Sequence, residues 1–187
     1  SGVEISESAP KVSDFDAIRS AIGQGTNNYS TVGLARYVTT VANSGNCYNL
    51  SLLSKATDAD GNLIADYTPT LRNTVDLKQS TWDAIHQGMR KVVEDKDYYK
   101  DLTIQVAGKT GTAQENRKRA NHALFVCYAP YEQPQIAIAT RIAFGYASDY
   151  AAQVTKDIVK YYFKLEDESS LITGTAESTN VVQSAGD

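Results

Sequence analysis

The sequence lacks the features that mark several functional classes. It has no excess of basic residues, since 18 Lys and Arg against 22 Asp and Glu give a net charge of −4. Nucleic-acid binding needs a strongly basic face, so this balance argues against a nucleic-acid partner. The one dense basic run, Arg117-Lys118-Arg119, is predicted to be a solvated loop. No apolar run approaches the roughly 20 residues of a membrane-spanning helix, and no signal segment opens the chain.

Cysteine and metal-binding patterns are also scarce. Cys47 and Cys127 are the only cysteines, too few for a disulfide framework or a metal quartet, and both are expected to be small core residues. The acidic loop that starts at Asp58 resembles a calcium loop, but that pattern needs Gly at its sixth position, where Leu63 stands. The sequence therefore predicts neither a metal nor a cofactor.

The 187 residues, 42% apolar and 21% charged, are typical of one globular domain or a large piece of one. The periodicity predicts an α+β fold, an antiparallel β-sheet flanked by helices. The expected order is a loop to residue 29, a helix over 30–43, a hairpin over 50–67, a helix over 77–93, strands over 102–106, 122–129 and 135–143, and a helix from Ser148 or Asp149. We expect the domain to cover residues 1–166 and a flexible polar tail to cover 167–187.

The helices carry specific expectations for caps and buried faces. Ser30 or Thr31 is expected to cap the first helix, and Asp76 with Gln79 forms a candidate capping box for the second. The residues expected to face the core are Val32, Ala35, Val38 and Ala42 in the first helix, Trp82, Ile85, Met89 and Val92 in the second, and Ala151, Val154, Ile158, Tyr161 and Leu165 in the last.

The most specific segment is residues 106–114, Val-Ala-Gly-Lys-Thr-Gly-Thr-Ala-Gln. A phosphate-binding P-loop would need Gly at position 103, where Thr stands, and the alternating pattern runs directly into Lys109 without the required loop. The segment instead matches the Lys-Thr-Gly strand of penicillin-recognising serine enzymes. A bare triplet is weak evidence, but the longer run before a predicted hairpin and a closing helix is much more specific.

Each residue of that strand has a chemical use. Lys109 places a cation beside the reacting centre, where it favours a bound carboxylate and supports proton transfer, and is the candidate catalytic residue. Thr110 and Thr112 lie two apart on one face, so their hydroxyls can bind a substrate carboxylate. Gly111 lets a ligand lie close to the strand, and the Thr112 N–H can point at a developing oxyanion.

The order of segments resembles that of class B penicillin-binding proteins over roughly residues 1–163. The matching segments are Gly23-Gln24-Gly25, Ala42-Asn43-Ser44-Gly45, Gly88-Met89, Val92-Val93, residues 107–114, His122-Ala123, Phe125 and Tyr128-Ala129-Pro130. Leu124 stands where the family often has Trp, and Cys127 where it often has Gly. The resemblance implies the C-terminal part of a transpeptidase domain with the fold of serine β-lactamases.

The resemblance also implies a function. The intact protein would be a D,D-transpeptidase that cross-links peptidoglycan stem peptides through a serine acyl-enzyme and is acylated by β-lactam antibiotics. It would act outside the cytoplasmic membrane, held by an N-terminal helix that this sequence does not contain. The remainder of the domain and other cell-wall synthesis proteins are further candidate partners. A D,D-carboxypeptidase, a β-lactamase-related hydrolase and a non-catalytic β-lactam sensor remain alternatives.

The family's nucleophile motif, Ser-X-X-Lys, and its Ser-X-Asn motif precede the Gly-Gln-Gly segment, so both are expected upstream of this chain. Literal matches begin at Ser8 and Ser44. Pro10 argues against a buried helix at the first, and the second coincides with an expected helix C-cap. We therefore expect the fragment to lack the nucleophile. His86 is expected on a solvated helix surface, and His122, Glu115 and Asn116 are lesser candidates for bordering the site.

Overall fold

The computed structural model describes residues 13–26, 28–114 and 118–172. Its helices are α1 (Asp14–Ala21), α2 (Thr31–Ala42), α3 (Gln79–Glu94), α4 (Ser148–Tyr162) and α5 (Glu168–Leu171). Its strands are β1 (Asn46–Tyr48), β2 (Lys55–Thr57), β3 (Leu63–Asp66), β4 (Leu71–Thr74), β5 (Ala107–Ala113), β6 (His122–Ala129) and β7 (Ile136–Ile142). Helices and antiparallel strands are thus segregated as the α+β prediction requires.

The central sheet has three antiparallel strands in the order β5-β6-β7. Its register runs from Ala107 opposite Tyr128 to Ala113 opposite His122, and Ala123 lies opposite Ile142. The predicted β6–β7 hairpin is confirmed. Among the described residues β5 pairs with β6 alone, so it forms an edge of the sheet.

The sheet takes part in two hydrophobic cores, and α3 contributes Val93 to the first and Met89 to the second. One core joins Ala123, Phe125 and Cys127 of β6 to the small residues of α4, while a second joins Ala107 and Tyr128 to α2 and α3. Alternation along β5 therefore turns the side chains of Thr110 and Thr112 toward the α4 face and that of Lys109 toward the α2 face.

Helix α1 corrects the expectation of a loop before residue 29. Ser13 caps the helix by accepting a hydrogen bond from the Asp16 N–H, and Asp14 and Asp16 complement the helix dipole in the first turn. The spacing of Phe15, Ile18 and Ile22 in the sequence fits one face of a helix, although these residues stay exposed in the structure. Residues 1–12 lie outside the described part of the chain.

Helix α2 has the predicted cap, because the Ser30 hydroxyl accepts from the Gly33 N–H at 3.0 Å. Its buried residues are Val38, Thr40 and Val41, whereas Val32 of the predicted face is half exposed. The capping box predicted for α3 is wrong. That helix starts after Lys78 with no side-chain cap, and Gln79 bonds to Asp83 instead.

Of the core face predicted for α3, Trp82 is buried, and Ile85, Met89 and Val92 are half-buried. The other buried residue of this helix is Val93, which was not predicted. The predicted hairpin after residue 50 is β2–β3. The structure also contains a second small sheet that was not predicted, in which β1 pairs with β4, a strand distant in the sequence.

The alternating segment 102–106 is not a strand, which corrects the prediction. It follows a single 3-10 turn at Asp97–Tyr99, and the sheet strand begins only at Ala107. Leu102, Ile104 and Val106 pack on the core without strand partners. The alternation of apolar residues in this segment therefore reflects their burial against the core and not pairing with a neighbouring strand.

Helix α4 begins where predicted but turns a different face to the sheet. Its buried residues are Ala151, Ala152, Thr155 and Val159, while Val154, Ile158 and Tyr161 remain partly exposed. Small residues let the helix approach the large Phe125 ring closely. Within the predicted tail, α5 is helical, and residues 173–187 lie outside the described part.

Candidate functional site

The four predicted site residues lie consecutively on the edge strand β5. Lys109 and Thr112 are exposed, and Thr110 and Gly111 are half-buried. The Lys109 ammonium donates to the Thr110 carbonyl at 2.8 Å. The structure thus places one cation and two hydroxyl-bearing residues on a strand edge that a second chain can approach.

The free edge of β5 can be identified from two side-chain contacts. Lys109 reaches the Thr110 carbonyl, and the Gln24 side-chain amide reaches the Thr112 carbonyl at 3.3 Å. Both carbonyls therefore point away from β6. Because the N–H and C=O of one residue point to the same side of a strand, the N–H groups of Thr110 and Thr112 also face the open edge.

Gly108, which sequence reasoning did not single out, is the glycine of this strand that packing requires. A Cβ there would lie 2.5 Å from Phe125 Cζ and 2.9 Å from the Val126 carbonyl oxygen. A Cβ at Gly111 would meet only Leu124 Cβ at 3.5 Å, an ordinary contact. Sequence alone could not reveal this requirement, because only the register of the sheet places Gly108 opposite Cys127 and beside Phe125.

A cavity of about 1120 Å³ begins where β5 ends. Ala113 and Gln114 line it together with residues of α2, β6, β7 and the Gly-Gln-Gly segment. Lys109, Thr110, Gly111 and Thr112 are not among its lining residues. The predicted site is therefore an exposed strand edge with a cavity at its end.

His122 lines this cavity and is only 7% exposed. Its Nδ1 accepts a hydrogen bond from the Phe144 N–H at 3.1 Å, and its ring lies 4.8 Å from the Phe144 ring. The Arg141 guanidinium lies 3.3 and 3.4 Å from the two ring nitrogens. This residue, a lesser candidate from sequence, is thus built into the wall beside the strand.

His86 is not the solvated residue that the sequence predicted. It is half-buried, and its Nε2 lies 2.8 Å from the Val41 carbonyl oxygen near the end of α2. Because a carbonyl only accepts, Nε2 carries the proton. The ring also contacts Trp82 and Tyr128, so His86 joins α2 and α3 to the sheet rather than serving chemistry.

The other candidates contribute little to the site. Cys127 is fully buried, and burial raises the pKa of its thiol to about 12, so it is a core residue as predicted. Lys118 and Arg119 are exposed, with the Arg119 guanidinium 5.2 Å from the Phe144 ring centre. Glu115, Asn116 and Arg117 lie outside the described residues.

Two absences hold for the described ranges 13–26, 28–114 and 118–172. They contain no group of three or more His, Cys, Asp or Glu side chains arranged to hold a metal ion. None of their helices combines the length and the apolar character needed to cross a bilayer.

Comparison with known proteins decides the family. The model of the penicillin binding protein transpeptidase domain matches residues 2–161. The chain belongs to this family. Penicillin-binding protein 2B of Streptococcus pneumoniae serotype 2 is 29% identical over 175 residues, which cover 83% of the chain and 25% of the relative.

Two further matches agree with this assignment to the transpeptidase domain. The peptidoglycan D,D-transpeptidase MrdA of Haemophilus influenzae is 30% identical, with 79% of the chain and 26% of the relative covered. The solved structure of penicillin-binding protein 2B from S. pneumoniae strain R6 superposes with a TM-score of 0.73 at 27% identity, over 86% of the chain and 29% of that structure. The chain spans about a quarter of the length of the curated relatives it matches.

Proposed function

We propose that this transpeptidase-family chain is the strand-bearing part of a peptidoglycan D,D-transpeptidase, which cross-links stem peptides through a serine acyl-enzyme. The observation that carries the proposal is the open edge of β5. There the N–H groups of Thr110 and Thr112 face outward beside the exposed Lys109. An extended peptide can add to such an edge as a further strand, and its main-chain hydrogen bonds hold it in register.

Within this proposal each site residue has one role. Lys109 supplies the cation that favours a bound carboxylate and eases proton transfer at the reacting centre. The hydroxyls of Thr110 and Thr112 bind the substrate carboxylate, and the Thr112 N–H stabilises the oxyanion of the tetrahedral intermediate. Gly111 leaves the strand surface flat where the ligand lies.

The proposed substrates are peptidoglycan stem peptides, and β-lactam antibiotics are the proposed inhibitors. The support is membership of the penicillin-binding transpeptidase domain and similarity to a D,D-transpeptidase. Such chemistry takes place on the outer face of the bacterial cytoplasmic membrane, where the intact protein is proposed to be anchored through an N-terminal segment.

The nucleophilic serine is proposed to come from a part of the protein that precedes these residues. Ser44 sits in the turn after α2 at a φ of 52°, with its N–H bonded to the Val41 carbonyl. That position agrees with a helix C-cap rather than with the start of a buried helix. Ser8 lies outside the described residues.

Intact-mass analysis after incubation with benzylpenicillin tests the assignment. The 187-residue chain is expected to gain no covalent adduct, and the complete domain is expected to gain one on the serine of a Ser-X-X-Lys motif. An adduct on Ser8 or Ser44 would show that the nucleophile was assigned wrongly. The deacylation rate of the adduct separates a transpeptidase from a β-lactamase, which releases it quickly.

A further inference from the structure

The segment that leads into β5 is held to α3 by one charged side chain. The Arg90 guanidinium donates a hydrogen bond from Nη1 to the Val106 carbonyl oxygen at 3.0 Å. Its Nε lies 3.3 Å from the carboxylate of Glu94, one turn further along the same helix. The Arg90 side chain is only 20% exposed. Because a guanidinium presents its donors in a rigid plane, these two contacts fix the orientation of the group that binds Val106.

The Val106 carbonyl lies on the outer side of β5, away from β6. The preceding carbonyl, that of Gln105, accepts a hydrogen bond at 2.8 Å from the N–H of Tyr131, which follows β6. Successive carbonyls of an extended segment point to opposite sides, so the Val106 carbonyl points toward the open edge. Among the described residues no strand covers that edge. The hydrogen bond from Arg90 therefore replaces one that a neighbouring strand would supply.

The residues on either side of Arg90 pack the start of β5 against a single turn of α3. Val93 shares one hydrophobic core with Val106, and Met89 packs against the other core beside Ala107. Val106 and Ala107 are fully buried. A polar contact flanked by two apolar ones leaves this end of the strand little freedom to slide along the helix, because packed interiors have few voids.

The strand between this contact and the proposed site is short and closely packed. Lys109 lies three residues after Val106, or about 10 Å along a strand, and it is the first exposed residue of β5. Ala107 and Gly108 between them are buried, and a Cβ at position 108 would lie 2.5 Å from Phe125 Cζ. A shift of the Val106 carbonyl is therefore passed on to Lys109 and is not absorbed on the way.

We propose that Arg90 is a positioning residue of the Lys-Thr-Gly strand, which holds the Val106 carbonyl on α3 and thereby sets the position of Lys109 and of the threonines that follow it. The inference rests on the proposed function, since it gives Arg90 an effect on acylation that acts through the backbone of β5. At the other end of the strand Gln24 contacts the Thr112 carbonyl at 3.3 Å. The substrate-binding groups lie between these two contacts.

The first experiment tests the contact in the 187-residue chain, independently of function. Arg90→Met keeps an apolar stem and removes the donors. Amide hydrogen exchange, followed by mass spectrometry, should quicken about tenfold in peptides that cover residues 105–113, and it should stay unchanged in peptides that cover β7. Glu94→Gln is the matched control, because it removes the ion pair on the exposed side and keeps the donor to Val106. Equal exchange in wild type and Arg90→Met would overturn the inference.

The second experiment measures the effect on chemistry in the complete domain. The second-order rate constant for acylation by benzylpenicillin should fall roughly 10- to 100-fold in Arg90→Met, because small misplacements of reacting groups carry penalties of this order. Arg90→Lys, which supplies a charged donor, should recover most of the rate, and Glu94→Gln should react like wild type. Ile136→Val removes one methyl group from the core side of β7 and controls for a general loss of stability. Urea unfolding ranks all four variants.

The outcomes distinguish this inference from the proposed function. If the wild-type complete domain formed no adduct, the proposed function would fail, while the exchange result would still show whether Arg90 holds β5. If the wild type were acylated and Arg90→Met reacted equally fast, the positioning role would fail and the proposed function would stand. Equal losses of rate in Arg90→Met and Arg90→Lys would also overturn the positioning role. So would a loss in Ile136→Val that matched Arg90→Met at the same stability.

Discussion

The side-chain amide of Gln24 donates a hydrogen bond to the backbone carbonyl of Thr112, although the two residues are 88 positions apart. The contact ties the Gly-Gln-Gly segment to the outer edge of the Lys-Thr-Gly strand. Because a carbonyl oxygen has two lone pairs, the Thr112 carbonyl can still accept a hydrogen bond from an added peptide strand. The two most distinctive motifs of the sequence therefore meet at one backbone position.

Gln24→Glu should weaken this contact, because a carboxylate cannot donate to the Thr112 carbonyl and would face it with like partial charge. We expect a loss of stability of about 1 kcal/mol. Urea unfolding measures it, and amide exchange of residues 23–26 should quicken. Gln87→Glu on the exposed surface of α3 is the control and should change neither quantity. An unchanged exchange rate in Gln24→Glu would show that the bond does not hold the segment.

Thr110→Val should slow acylation of the complete domain, because it keeps the side-chain volume but removes the hydroxyl proposed to bind the ligand carboxylate. Losing a hydrogen bond to a charged group costs about 1.5–3 kcal/mol, or roughly 10- to 150-fold in rate. Lys109→Ala should do at least as much harm. The second-order acylation rate constant is measured for a penicillin and for its carboxylate ester. Equal losses for both ligands would remove the assigned role of Thr110.

Gly108→Ala should destabilise the chain, because its Cβ would lie 2.5 Å from Phe125 Cζ and force the core or the strand to move. Overpacking of this kind costs about 1–3 kcal/mol. Gly88→Ala is the matched control. Position 88 lies within α3 and has nothing within 4 Å of its Cβ site, so Ala should raise stability by up to about 1 kcal/mol through helix propensity. Thermal unfolding of both variants and the wild type measures these changes. A Gly108→Ala variant as stable as the wild type would contradict the packing argument.

Asp149→Asn should lower stability near neutral pH, and the difference should disappear in acid. The hydrogen bond from Lys96, 2.5 Å away, and that from Tyr98 at 2.7 Å hold the pKa of the Asp149 carboxyl below its usual value. Such a group stabilises the fold above its unfolded pKa of about 3.9, and this contribution is lost as the pH falls through the lower folded pKa.

The expected difference for Asp149→Asn is less than about 1 kcal/mol, because the carboxylate is half exposed and screened by solvent. Urea unfolding of wild type and variant from pH 7 down to acid pH measures it. Asp76→Asn, at an exposed acid without an ion pair in the described structure, should show no such closing gap. If the difference in unfolding free energy between wild type and Asp149→Asn grew as the pH fell, the stabilising role given to the ionised Asp149 carboxylate would be wrong.

The isolated chain should be marginally stable or should associate. Phe15 and Ile18 of α1, its C-cap Ile22, and Tyr37 of α2 are each more than 60% exposed, and proteins usually cover large apolar side chains of this kind. We therefore expect a thermal transition whose midpoint depends on protein concentration, with light scattering that reports association. A sharp transition of a monomer at all concentrations would contradict this expectation.

Local periodicity predicted the elements whose burial is regular. Ser30 capped α2, β6 began at His122, and α4 began at Ser148, because caps, alternation and turn residues act over a few positions. The predictions failed where the residues that are buried do not follow the periodicity of the sequence. Segment 102–106 alternates without a strand partner, and α4 buries Ala152 and Thr155 instead of Val154 and Ile158.

The sequence by itself determined the family, the α+β class and the strand that carries Lys109, Thr110, Gly111 and Thr112, because motif spacing and local hydrogen-bond chemistry are written along the chain. Only the tertiary structure decided which residues meet across it. It brought the Gln24 side-chain amide to the Thr112 carbonyl and the Arg141 guanidinium to the His122 ring. It also placed both Arg36 and Arg141 in the lining of one cavity. These contacts join segments tens of residues apart, and they depend on sheet register and helix packing, which no local pattern encodes.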